Sequence, residues 1–151
     1  MALRFSPQLI MYIVALVFGG TGFIIAHLIL AHAPGDGWQS LAIWSGAAAF
    51  GLSLLFWRLF CASDQLISAR RGALVGVLTG VLAHPVAWYL AIVWNYASGA
   101  RTSLGDRALN PLEGLAGCLV LAFWSLLLTG WITVPAGGIL GWILGRTLRS
   151  Q

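Results

Sequence analysis

The chain has 151 residues, 60% of them hydrophobic and 8% charged, whereas about a quarter of residues are charged in a typical soluble domain. Its formal charge of +4 comes from eight arginines with no lysine, and these sit beside apolar runs, where they set topology and meet anionic headgroups rather than nucleic acid. Such a composition excludes a water-soluble fold and predicts a single all-α domain over 1–151, a polytopic membrane protein.

About 20 apolar residues cross the hydrocarbon of a bilayer. Four stretches satisfy this: 9–31, 41–60, 72–96 and 112–145. The first, Leu9–Ala31, follows Arg4 and ends in Ala31-His32-Ala33, which resembles a signal-peptide cleavage site. The run is about twice a typical signal core and Pro34 follows the cut, so it reads as an uncleaved span. His27 lies in its outer third, and the connection that follows carries His32 and Asp36. A five-residue histidine spacing is off-face on a helix, so no metal site is expected there.

The second span, Leu41–Phe60, contains Arg58 just inside its end, a position from which the side chain snorkels to headgroups. Trp38 and Trp57 are expected at its outer and inner interfaces, and Trp94 with Tyr96 at the outer one again. Trp44, Trp88 and Trp124 lie deeper, where their indole N–H groups need partners. Cys61 and Cys118 fall near opposite faces and read as buried, unpaired thiols.

The third span, Gly72–Tyr96, places Gly72, Gly76 and Gly80 on one face, with His84 directly before Pro85 near its middle. The third connection ends in Arg107, Asn110, Pro111 and Glu113. Proline suits the first helical position and an acid the first turn, so this cluster is explained by the helix start. The fourth span, Leu112–Gly145, is 34 residues, about 50 Å of helix against roughly 30 Å of hydrocarbon. It is read as one long helix kinked at Pro135, the alternative being a span ending near Val134 with an interfacial stub. Gly137, Gly141 and Gly145 repeat the glycine spacing of span three.

Arg4, Arg58, Arg70, Arg71, Arg146 and Arg149 fall on one side of this arrangement, and Arg101 and Arg107 on the other. Positive charge accumulates in the cytoplasm, so both termini are expected there, in a bacterial cytoplasmic membrane. The two glycine faces then lie at matching depth, where small residues let backbones approach closely in lipid. They are expected to meet as an antiparallel glycine zipper with Ile139, Trp142 and Ile143 turned away, or to pack against another subunit.

Leu78-Thr79-Gly80 precedes Pro85 by the same gap at which Leu128-Thr129-Gly130 precedes Pro135. Each proline frees a carbonyl four residues back, at Val81 and Trp131. Thr79, Thr129, Thr133 and His84 are the side chains available to satisfy them. Paired interruptions can mark a transport site, although a structural kink explains them first.

An ionisable residue at the depth of His84 is a functional candidate. Axial ligation of haem by His27 and His84 requires similar depths, whereas His27 sits about 10 Å higher by helical rise. His84 alone, with Gly80 leaving room, is the simpler cofactor-binding reading. The four carboxylates Asp36, Asp64, Asp106 and Glu113 all avoid mid-membrane, which argues against a buried-acid proton coupler and against acid–base catalysis. Ser125, Thr129 and Thr133 form a stripe better suited to helix contacts.

The first functional expectation is therefore a non-enzymatic accessory or structural subunit of a membrane assembly or homo-oligomer, with lipid and other membrane subunits as partners. The second is a small-solute transporter or channel. The third is a haem- or chlorophyll-type tetrapyrrole protein using His84.

Overall fold

The computed structural model describes residues 6–31, 38–61, 68–101 and 105–148. They form four helices: α1 (Pro7–Leu30), α2 (Trp38–Phe60), α3 (Ala69–Ala97) and α4 (Pro111–Thr147). Each is long and apolar enough to cross a membrane. A backbone without water must satisfy its polar groups internally, which leaves helix as the available form for such segments. Arg4, His32, Pro34, Asp36, Asp64 and Arg149 lie outside the described residues, as does the side chain of Trp38.

The helix starts are set by short polar side chains. Ser6 caps α1 by accepting from the Leu9 N–H, and Ser68 caps α3 through the Arg71 N–H. Asn110 does the same for α4 through the Leu112 N–H at 3.0 Å, with Pro111 in the first position and Glu113 in the first turn. This accounts for the Asn110 and Glu113 cluster by capping and dipole alone. After α3, Gly99 turns the chain with a φ of 67°, a conformation that glycine adopts without a Cβ penalty. The 37 residues of α4 run as one helix with Pro135 inside it.

Consecutive helices pack antiparallel, and the α3–α4 seam is the tightest. A Cβ placed on Gly72 would collide with the Gly141 carbonyl, and one on Gly76 with the Gly137 carbonyl. At Gly80 it would lie 3.0 Å from the Thr133 carbonyl oxygen, and at Gly145 2.8 Å from that of Ser68. The two glycine faces thus meet each other within the chain. Ile139, Trp142 and Ile143 point away and are exposed. In lipid no hydrophobic force draws helices together, so close backbone approach supplies the dispersion contacts instead.

A second seam joins α1 to α2, where Gly22 faces Ala49 and Gly46 faces Phe23, each at 3.0 Å from a notional Cβ. The core proper lies toward the chain ends: Val14, Phe18, Trp57, Cys61 and Val75, with Leu140, Leu144 and Leu148 packed against it. Trp57 is 2% exposed, so it fills this core instead of standing in an interfacial belt. Position along the helix placed it at the right depth, but its face turns inward. Trp94 and Tyr96 are exposed, as a belt requires, and Trp94 tilts against Trp44 with centroids 5.5 Å apart. Burial pushes the Cys61 thiol up to about 11, with Arg71 partly offsetting it. Cys61 and Cys118 are both free and buried.

Candidate functional site

Beyond the core the bundle opens. Ser125, Thr129, Thr133 and Gly137 stand one turn apart on α4 and face Thr79, Gly80, Ala83, His84 and Ala87 on α3. Thr21, Gly22, Ile25 and Ala26 of α1, with Leu41, Ser45 and Ala49 of α2, complete the wall. These side chains surround a cavity of about 520 Å³, within the range of small-molecule sites. Many of them are glycine, alanine or serine, too small to fill the space between the helices. α1 and α4 touch far less than the other neighbouring helices, and the cavity lies between them. Its rim residues Ile29, Trp124 and Leu128 belong to the exposed apolar surface.

The polar centre is His84. Its Nδ1 lies 2.6 Å from Ser125 Oγ and its Nε2 2.9 Å from Thr133 Oγ1. A neutral imidazole offers one donor and one acceptor, and the neighbouring bonds select the tautomer. The Thr133 hydroxyl donates to the Thr129 carbonyl at 3.3 Å, so it accepts from an Nε2–H. Ser125 then donates to Nδ1. The Thr129 hydroxyl donates to the Ser125 carbonyl at 2.8 Å. The stripe read as helix contacts is therefore a single hydrogen-bonded chain that joins α3 to α4.

Thr79 differs from its neighbours. It is 2% exposed, lines the cavity and has a hydroxyl with no hydrogen-bond partner. The hydroxyls expected to serve the Val81 and Trp131 carbonyls do not: Thr129 and Thr133 bond the carbonyls one turn back, and His84 bonds Ser125 and Thr133. The Pro85 carbonyl itself accepts from Cys118 Sγ at 3.1 Å.

The structure does not bring the two candidate histidines together. His27 is exposed on α1 and stacks on Phe23 at 5.8 Å, while His84 faces inward. Both His84 nitrogens are engaged by hydroxyls, and α4 occupies the room beside Gly80. An axial metal bond needs an unshared ring nitrogen, so this arrangement does not fit a tetrapyrrole. Among the described residues, no group of three or more His, Cys, Asp or Glu converges on a common point. Sequence reasoning missed Thr21, Ser45 and the small residues of α1 and α2; their spacing of three or four was the available signal. No family model, curated protein or solved structure matches the chain.

Proposed function

We propose that this chain is a non-enzymatic multi-pass protein of a bacterial cytoplasmic membrane that binds and carries a small uncharged molecule between its helices. Both termini are cytoplasmic, on the arginine distribution, and α4 bends at Pro135. One observation carries the reading: a cavity of about 520 Å³ at membrane depth, lined by apolar residues around the His84–Ser125–Thr133 chain. Polar groups at that depth are costly in lipid unless they serve something. The packed core at one end and the open space toward the other give the bundle a one-sided opening, which suits a carrier. The accessory-subunit reading loses one support, because both glycine faces are spent on each other.

Photolabelling tests this. A small neutral diazirine probe, added to the protein in lipid nanodiscs, should label 121–133 of α4 saturably. Ala83→Phe, which fills the cavity, should abolish that labelling while the fold survives. Labelling spread evenly over lipid-facing Leu115, Leu119 and Leu127 and unaffected by Ala83→Phe would remove the carrier reading.

A further inference from the structure

Three features of the cavity define its ligand. First, charge: among the described residues that line it there is no Asp, Glu, Lys or Arg. A charged head group would be buried there without a counter-ion, which is strongly unfavourable. Second, donors: the protons of Ser125, Thr129, Thr133 and His84 Nε2 are all committed within the α3–α4 chain. The Thr79 hydroxyl is buried and unpartnered. Threonine in a helix ordinarily bonds the carbonyl one turn back, as Thr129 and Thr133 do; Thr79 does not. Its proton is therefore left for an acceptor outside the chain's own hydrogen bonds. A lone water is a poor solution, because it needs two to four polar partners and the neighbouring hydroxyls are already bonded within the α3–α4 chain. Third, access: the rim residues Ile29, Trp124 and Leu128 belong to the lipid-facing surface, so the opening meets hydrocarbon and not water.

Resting on the carrier reading above, we infer that the cavity takes an uncharged, membrane-soluble amphiphile with a carbonyl head group. The carbonyl accepts from Thr79, and the apolar remainder lies between α1 and α4 toward the bilayer. A quinone and a diacylglycerol ester share this chemistry, and the test separates them.

The test is competition against the diazirine probe, using the full chain in phosphatidylcholine nanodiscs. The competitors are a benzoquinone with a ten-carbon chain, dioctanoylglycerol, and an alkylbenzene of matched chain length with no carbonyl. The carbonyl compounds should compete at about tenfold lower concentration than the alkylbenzene, the effect of one buried hydrogen bond. The stronger of the two identifies the source. Thr79→Val should erase this preference while keeping or raising the melting midpoint, and Thr79→Ser should restore it. If the alkylbenzene competes equally well, or Thr79→Val leaves the preference unchanged while cavity labelling persists, the carbonyl assignment is overturned and the cavity stands. If wild-type labelling is not saturable, both readings fall.

Discussion

At the scale of single residues, the His84 bonds make a quantitative prediction. Ser125→Ala leaves His84 Nδ1 without its donor, and interhelical hydrogen bonds in a bilayer are worth about 0.6 kcal/mol on average and up to about 1.7. The Ser125→Ala and His84→Ala double-mutant cycle should therefore give a coupling energy of about 1 kcal/mol in reversible unfolding from mixed micelles. A coupling of zero would mean that the bond contributes nothing. Cys61 gives a second prediction. With its thiol pushed up to about 11, the folded state keeps a proton that the unfolded chain releases near 9. Below that value both states are protonated and stability is flat; between about 9 and 11 the unfolded state is favoured and stability falls as pH rises. Melting of wild type and Cys61→Ala across that range checks this, since only wild type should lose stability through Cys61. The sequence showed that His84 was unusual, because depth follows from counting residues. It did not show that both nitrogens were engaged, because the partners lie 41 and 49 positions away on another helix.

At the scale of elements, the glycines separate into two classes. Gly76 and Gly141 face backbone carbonyls across the α3–α4 seam, whereas Gly51 has open space around its notional Cβ. Gly76→Leu or Gly141→Leu must push two backbones apart, costing at least about 2 kcal/mol. Gly51→Ala should instead gain about 0.5–1 kcal/mol from reduced backbone entropy in the unfolded chain. Thermal unfolding in detergent distinguishes them, and equal behaviour of Gly51 and Gly76 would show that the seam is not tight. The four spans and the α3–α4 seam were legible because hydropathy and a strict four-residue glycine repeat are properties of one helix at a time. The α1–α2 seam was not, since Gly19, Gly22, Gly46 and Ala49 mix spacings of three with alanine. Trp57 shows the same limit: its depth follows from its number, but its direction follows from what the bundle places beside it. The cavity was illegible for a related reason, because an empty space is set by how little α1 and α4 touch and no residue type marks it.

At the scale of the whole molecule, the orientation of the bundle in its membrane is a prediction from its charges. Arg58, Arg70, Arg71 and Arg146 lie at the end of the bundle shared by the start of α1 and the close of α4, and Arg101 and Arg107 lie at the other. This opposing pair is tied into the third connection, where Arg101 Nη1 donates to the Gly105 carbonyl at 3.2 Å and the backbone pairs Arg101 with Arg107. Asp106 and Glu113 stand close in sequence and reduce the positive charge of that connection. Short basic segments are retained in the cytoplasm and neutral ones translocate. A fluorescent-protein fusion after Gln151, active only in the cytoplasm, should therefore fluoresce. A phosphatase inserted between Ser103 and Leu104, active only outside, should be active. Replacing Arg58, Arg70 and Arg71 by Gln weakens the middle retention signal while Arg146 and Arg149 keep theirs. The C-terminal reporter should then stay cytoplasmic, and a reporter between α2 and α3 should become mixed. A C-terminal fusion found outside in the wild type would place the cavity's lateral opening nearer the cytoplasmic leaflet and reverse the leaflet from which its ligand is loaded.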